Sequence, residues 1–425
     1  MRILLIGSGG REHALAWALN ALAGKEELFI APGNAGTAEI GENTALDILD
    51  FPAVGKFVID HRIELLVVGP EQPLVAGIRD YFEREEVLSK VPVFGPSAKG
   101  ALLEGSKAFA KEFMKRHHIP TARYREITEE NAEEGFAFMD TLSPPLVIKA
   151  DGLAAGKGVL IINDHKKARE ELQSVLSGRF GPAGRKVVIE EFLPGTEMSV
   201  FAFFDGSHYV LLPTAKDYKR IGEGDSGPNT GGMGAIAPVP FAGADLMRKV
   251  EERIVKPTVK GLISEGIDYR GIIYFGLMIV DEEPYVIEYN CRFGDPEAEV
   301  IIPLIRDDLP ELIRQTALGR LDSSKALRFE GAAATVILAS GGYPGNYEKG
   351  KPIRGLSEVN DSMVFHAGTR RDDTGQLISN GGRVLAVTSL APTLAEALKT
   401  SLRNAERIEF EGKYFRRDIG QDVLK

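Results

Sequence analysis

The residues best equipped for chemistry lie in one short run, Tyr285-Val-Ile-Glu288-Tyr-Asn290-Cys-Arg292-Phe-Gly-Asp295-Pro-Glu297. The apolar stretch before it reads as a strand, and strand side chains alternate between faces. Alternation sends Tyr285, Ile287 and Tyr289 one way and Val286, Glu288, Asn290 and Arg292 the other. The second face then offers a carboxylate and an amide carbonyl, hard oxygen donors of the kind Mg2+ selects. A guanidinium suited to clamping phosphate follows two residues on. Metal and phosphate donors on one strip point to ATP chemistry. An edge strand with a solvated polar face is the plainer explanation. Against it stands the tight turn Gly294-Asp295-Pro296, which brings two more carboxylates, Asp295 and Glu297, to the same place.

A second stretch, Lys149-Ala-Asp-Gly152-Leu-Ala-Ala-Gly156-Lys157-Gly158-Val159, is similar to a Walker A loop. It has one spacer too few, lacks the closing Ser/Thr, and leads into a strand where a P-loop opens a helix. A glycine-rich loop between two strands is expected instead to be a flap that folds over nucleotide phosphates. Lys149 ends the strand before it and Lys157 rides on it. An exposed hairpin is the alternative, although it needs fewer small residues. Glu190-Glu191-Phe192-Leu193-Pro194-Gly195-Thr196-Glu197 follows another strand. Backbone groups left unpaired at such a hinge can read an adenine edge, and a nearby carboxylate can accept ribose hydroxyls; an ordinary acidic loop is the commoner explanation. From Pro213 to Gly234 there is no periodicity. Lys216, Asp217, Lys219, Arg220 and the run Asn229-Thr230-Gly231-Gly232 suggest a loop that holds an anionic substrate.

These groups need a scaffold. Residues 1 to about 100 alternate apolar strands (Ile3–Ile6, Leu28–Ala31, Leu65–Val68, Val91–Phe94) with helical stretches, and each strand ends in a glycine or proline turn. This is the rhythm of an open, doubly wound parallel sheet with ligands at the carboxyl ends of its strands. Gly7-Ser-Gly9-Gly10-Arg11-Glu12 departs from the dinucleotide fingerprint, which needs glycine at position 12. A generic anion site at a helix N-terminus remains, with Arg11 adding charge, or glycines that serve only the turn. A helix is expected over Ala101 to Lys115. An α+β region follows, with strands Leu146–Lys149, Val159–Ile162, Val187–Glu191, Met198–Phe204, Tyr209–Leu212, Ile272–Val280 and Tyr285–Asn290; Asp281-Glu-Glu-Pro284 reads as a hairpin turn. Beyond about residue 330, Ala332–Ala339, Arg383–Thr388 and a helix from Leu394 to about Ile408 suggest a small β-rich unit. Three parts are expected: 1–101, 102–325 and 326–425.

Composition narrows the function. A chain of 425 residues has room for several domains. Net charge −10 argues against a nucleic-acid partner, and no apolar run is long enough to span a bilayer. The N-terminus runs into a strand and not into a signal-peptide pattern. A single cysteine, Cys291, excludes an internal disulfide framework and fits a cytoplasmic protein. His13, His117, His118 and Trp17 form no metal-ligand or other pattern and are expected to be structural.

Over essentially its whole length the chain resembles the phosphoribosylamine–glycine ligase family of ATP-grasp enzymes. The resemblance rests on Ile6-Gly-Ser-Gly-Gly-Arg-Glu-His13, Ala31-Pro-Gly-Asn-Ala-Gly36, Gly69-Pro-Glu-Gln-Pro-Leu74 and Glu104-Gly-Ser-Lys107. It continues through Lys149–Gly158, Gly227-Pro-Asn-Thr-Gly-Gly-Met233 and Arg292-Phe-Gly-Asp-Pro-Glu297, the string most specific to the family. Here that string continues Ala298-Glu299, where Thr-Gln is frequent.

The resemblance implies an N-terminal doubly wound domain, a two-lobed ATP-grasp core whose mobile lobe spans about 121–190, and a small C-terminal β-rich domain. It implies a monomer that joins glycine to 5-phosphoribosylamine with ATP and Mg2+ or Mn2+ in purine biosynthesis. Lys107 and Lys149 would meet the ATP phosphates under a flap containing Gly152, Gly156, Lys157 and Gly158. Glu190, Glu191, Phe192 and Leu193 would form the adenine hinge, Glu197 would hold the ribose, and Glu288 and Asn290 would hold the metal. Lys149 and Arg292 would act in catalysis. Candidates for the acceptor substrates are Gly9, Gly10, Arg11, Asn34, Glu71, Pro73, Asp217, Lys219, Asn229, Thr230, Gly231, Gly232, Asp295, Pro296 and Glu297. Phe275-Gly-Leu-Met278-Ile stands where many ATP-grasp enzymes carry a further acidic ligand. The rivals are another ATP-grasp ligase or carboxylase and a non-catalytic nucleotide-binding regulator.

Overall fold

The first sheet is built from strands apolar on both faces. Leu4, Ile6, Phe29, Ala31, Leu66 and Val68 enter one core, and Ile3, Leu5, Leu28, Ile30, Leu65 and Val67 enter another. A sheet buried on both faces is what parallel strands with crossover helices require. In a computed structural model, which describes residues 1–152, 158–179, 181–324 and 326–424 (without the side chains of 182 and 183), these strands pair in parallel. Their order is Glu42–Asn43, Leu28–Pro32, Ile3–Gly7, Leu65–Val68, Val93–Phe94. The order reverses between Ile3–Gly7 and Leu65–Val68. The turns after those two strands and the helix starts they lead into, with Gly9, Gly10 and Glu71, therefore flank the crevice where doubly wound sheets bind ligands.

Two helices, Ala98–Gly105 and Lys107–Arg116, stand where one was expected. Ser106 separates them, because its hydroxyl accepts from the Phe109 amide and starts the second. An antiparallel sheet follows in the order Tyr124–Thr128, Lys186–Glu191, Leu146–Ala150, Val159–Ile162. Ile127, Ile148 and Ile189 pack with Phe136 and Leu172 of the helices Ala132–Asp140 and His165–Ser174. Facing it is a sheet of Tyr209–Leu211, Thr196–Phe204, Gly271–Val280 and Glu283–Asn290. Its last hairpin turns on Asp281 and Glu282, both at positive φ (49° and 62°), as a two-residue turn matching strand twist requires.

The final sheet is antiparallel and pairs Lys216–Asp217, Gly234–Ala237, Ala332–Ala339, Arg383–Ala391 and Met363–His366. The helix Leu394–Arg407 covers it, with a Thr393/Glu396 capping box. The segment expected to be aperiodic thus supplies two of these strands. Among the described residues no helix is long and apolar enough to cross a membrane.

His13, on the helix Gly10–Ala23, docks the first sheet against the last. Its Nδ1 accepts the His366 amide at 2.7 Å, so the ring is neutral with its proton on Nε2. Burial, then the charge of His366, holds His13 down at about 3; burial holds His366 at about 4. Both lie below the ordinary 6.5, so their stabilisation is complete above pH 6.5 and is lost as pH falls toward 4 and 3. Going from pH 7.5 to 5 is expected to cost about 2 kcal/mol per imidazole. Urea unfolding at the two pH values checks this, and a His13→Asn chain with an unchanged pH slope would contradict it.

Candidate functional site

The strand Glu283–Asn290 does not alternate as its sequence suggests. Glu288 pairs with Gly276 and Val286 with Leu277, so Ile287 is an inserted residue in a β-bulge. The insertion turns Val286 over: it joins Tyr289 and Cys291 in the core, while Glu288 and Asn290 keep the opposite face. The expectation that Val286 shares a face with Glu288 is corrected by that extra residue. Gly276 makes the arrangement possible, because a Cβ there would sit 2.8 Å from the Glu288 Cγ.

Lysines converge on this strip from other elements. Lys149, in the strand Leu146–Ala150, donates to the Ile287 carbonyl at 3.0 Å and pairs with Glu190 Oε2 at 3.0 Å. Lys111 approaches the other oxygen of Glu190 at 3.2 Å. Burial pushes the Glu190 carboxyl up, yet the two lysines outweigh it and hold it ionised; burial pulls Lys111 down to about 8. Lys107 opens its helix and donates to the Gly152 carbonyl at 3.0 Å. Asp151 beside it accepts from the Ala108 amide at 3.1 Å and from Ser106 Oγ at 3.1 Å, which docks the turn on the helix N-terminus. Gly158 closes the strand pair through its carbonyl to the Ala150 amide. Gly156 and Lys157 lie outside the described residues.

Lys219 bridges Glu197, at 3.1 Å, and Glu288, at 3.3 Å. With Lys149 and Lys107 it holds the Glu288 carboxyl below the usual carboxylate range despite burial. An ionised Glu288 beside the Asn290 carbonyl is a donor set that fits a hard divalent cation. Burial drives Asp217 up to about 8, with Lys219 opposing and Glu297 adding to the rise. Burial also raises Glu297, whose Oε1 accepts from Ser199 at 3.2 Å. Glu191, Phe192 and Leu193 cross between the two central sheets. There Glu191 accepts the Arg123 amide at 2.8 Å.

Arg292 lies half-buried beneath the strip. It donates to Glu104 at 2.7 Å, to the Phe293 carbonyl at 3.1 Å and to Asn290 Oδ1 at 3.3 Å, and pairs with Glu71 at 3.4 Å. Glu71 and Pro73 belong to the short helix Glu71–Val75 at the switch point of the first sheet. Across the crevice, Glu12 Oε2 already accepts the Gly9 amide at 2.6 Å. Its partner oxygen takes the Arg11 guanidinium at 2.6 Å, and Arg11 reaches on to the Phe293 carbonyl at 3.1 Å. Gly7 and Gly69 give that side chain room, since a Cβ on either would fall within 2.3 Å of a Glu12 side-chain atom. Gly10 begins the helix against Glu299, whose carboxylate is buried without a hydrogen-bond partner.

Asn34 is buried and spans from the Ser8 carbonyl to the His366 carbonyl. Asp295 pairs with Arg383 at 2.9 Å, and the same guanidinium donates to the Gly231 carbonyl at 2.6 Å. Gly232, at φ +113°, packs on Pro296, while Thr230 and Asn229 bind back to the Lys219 and Arg220 segment. The sequence reading therefore divides into two groups of side chains. One surrounds Glu288, and the other lines the crevice around Arg292 and Asp295, with the strip between them. Sequence reasoning missed Glu104, Lys111, Ser199 and Arg383. Of these, Lys111 carried a visible signal: a charge on a helix face otherwise made of Ala108, Ala110 and Met114.

Comparison with known proteins agrees with this architecture. Residues 1–104 match the N domain of phosphoribosylglycinamide synthetase, residues 105–298 its ATP-grasp (A) domain and residues 333–422 its C domain. The chain is 49% identical to the phosphoribosylamine–glycine ligase of Chlorobaculum tepidum over all of both chains. It is 46% identical to that of Escherichia coli O157:H7, over 100% of this chain and 99% of the other. The crystal structure of phosphoribosylamine–glycine ligase from Thermotoga maritima superposes with a TM-score of 0.84 at 39% identity, covering 98% of this chain and 100% of that one. A biotin carboxylase domain from Hydrogenobacter thermophilus, solved with MgADP, shares the fold at 17% identity, with a TM-score of 0.74 over 98% and 92% of the chains. On a sheet order, a lysine-ringed Glu/Asn strip and full-length likeness that all agree, the chain belongs to the phosphoribosylamine–glycine ligase family of ATP-grasp enzymes of purine biosynthesis.

Proposed function

We propose that the chain, acting in the cytosol as a monomer, joins glycine to 5-phosphoribosylamine through a glycyl phosphate intermediate. A glycine carboxylate oxygen attacks the γ-phosphorus of ATP and the bond to the ADP oxygen breaks. The amine nitrogen of phosphoribosylamine then attacks the activated carbonyl carbon. Phosphate leaves with the bonding pair and takes up the proton the amine sheds. Phosphorylation is needed because carboxylate oxygen is otherwise a poor leaving group.

One observation carries the reading: Lys107, Lys149 and Lys219 supply the charge that keeps Glu288 ionised, and Arg292 lies two residues beyond Asn290 and donates to its side-chain carbonyl. Lys107 and Lys149 would hold the ATP phosphates, with Lys149 and Arg292 offsetting charge on the transferred group. Glu190 to Leu193 would receive adenine and Glu197 the ribose. Glu288 and Asn290 would hold Mg2+ or Mn2+, which supplies positive charge to the phosphate oxygens when bound. The crevice residues around Asp295, Glu71 and Gly9 would receive phosphoribosylamine.

ADP release is expected with glycine plus phosphoribosylamine and not when formate or bicarbonate replaces glycine. ADP with formate or bicarbonate would favour another ATP-grasp ligase, and no ADP with every substrate present would favour a nucleotide-binding regulator.

A further inference from the structure

Two cations share one buried carboxylate at the junction of the central sheets, where a single cation would neutralise it. Glu190 is almost wholly enclosed, with Lys111 3.2 Å from one oxygen and Lys149 3.0 Å from the other. The lysines differ in freedom. Lys111 is 2% exposed, hydrogen-bonded to Thr121 Oγ1 at 2.6 Å, and lies 5.5 Å from the centre of the Tyr124 ring. Thr121 is itself tied to the Val286 carbonyl at 2.7 Å. Lys111 is therefore pinned from several sides and has no route to a ligand. Lys149 keeps an accessible edge, and its remaining contact is the carbonyl of the bulged Ile287, on the strip that faces the proposed nucleotide.

Two of the three Lys149 N–H donors are taken, by Glu190 and by the Ile287 carbonyl, so a phosphate that engages Lys149 competes with Glu190 for its charge. A buried carboxylate stripped of its only cation is strongly destabilising, so a lone Lys149 would be held in place. We infer that Lys111 is a positioning residue: it is the standing counter-ion of Glu190, and it thereby frees Lys149 to turn onto the nucleotide phosphates. This rests on the reading that Lys149 binds those phosphates. Lys111 touches no substrate and acts only through the shared carboxylate.

The test measures the Kd of a non-hydrolysable ATP analogue and the KM of glycine on the full chain. Lys111→Gln keeps a donor for Thr121 and removes the charge. It is expected to raise the analogue Kd roughly 10- to 100-fold with the glycine KM unchanged. Lys111→Arg retains the charge and is expected to bind the analogue nearly as the parent does. Lys149→Ala should weaken analogue binding whatever Lys111 does. If Lys111→Gln binds normally while Lys149→Ala does not, the inference fails and the phosphate reading stands. If Lys149→Ala binds normally, that reading fails first. A rise in both the analogue Kd and the glycine KM would mark Lys111 as merely structural and overturn the inference. Should Lys111→Gln not fold, it is made in a Glu190→Gln chain, which has no buried carboxylate for Lys111 to serve. An analogue Kd equal to that of Glu190→Gln alone supports the inference, and a further loss of binding on adding Lys111→Gln overturns it.

Discussion

Lys149→Ala is expected to lower kcat by roughly 10²–10³-fold, the scale on which a preorganised charge at a reacting centre contributes. The expectation follows from where the ammonium sits. It bridges Glu190 on one central sheet and the Ile287 carbonyl on the other, one residue from Glu288. Water that filled the space left by the side chain would reorient as charge built up on the phosphoryl group, whereas the lysine is already in place. Loss of folding should not confuse the result, because Lys111 remains against Glu190 and the truncation leaves no buried carboxylate alone. Steady-state rates at saturating ATP, with circular dichroism to confirm the fold, decide the matter; a kcat near that of the parent would remove Lys149 from the chemical step.

The elements were legible where local signals decide them. Both-face apolar strands followed by glycine turns marked the parallel sheet, and the Asp281-Glu282 turn was readable from the apolar runs on either side. Less was legible wherever a partner distant in sequence decides the outcome. An inserted residue such as Ile287 leaves a strand's composition unchanged, so only the register against Gly276 and Leu277 exposes it. Lys216–Asp217 and Gly234–Ala237 are too short to show a period; Gly234–Ala237 is a strand because Ala332–Ala339 pairs with it, and Lys216–Asp217 because it pairs with Gly234–Ala237 in turn. The glycines near the N-terminus offered a choice between a ligand site and a simple turn. Their packing adds another cause: Gly7 and Gly69 leave space for the Glu12 carboxylate, which caps the Gly9 amide. The string from Glu288 to Glu297 suggested ATP chemistry because its candidate donors are neighbours in sequence. Glu104 was invisible as a partner because it lies 188 residues from Arg292.

That long-range pair makes Arg292→Ala a sharper experiment than the sequence alone would suggest, with turnover again expected to fall roughly 10²–10³-fold. Burial pulls the guanidinium toward neutrality, but Glu104 and Glu71 outweigh it and keep Arg292 charged. The same cation opposes the burial that pushes Glu104 up. Alanine therefore removes the positive charge beside Asn290 and also leaves Glu104 facing only the Cys291 amide and thiol. Glu104 should then take up a proton, so the site loses one positive and one negative charge together. Arg292→Lys separates the two effects: it retains a cation for Glu104 but cannot reproduce the fork that reaches Glu104, Phe293 and Asn290 at once. The lysine chain should keep the parent's thermal stability more nearly than the alanine chain while remaining slow. Equal losses of stability in both chains, with turnover restored by lysine, would mean that charge alone matters and that the fork has no part in the reaction.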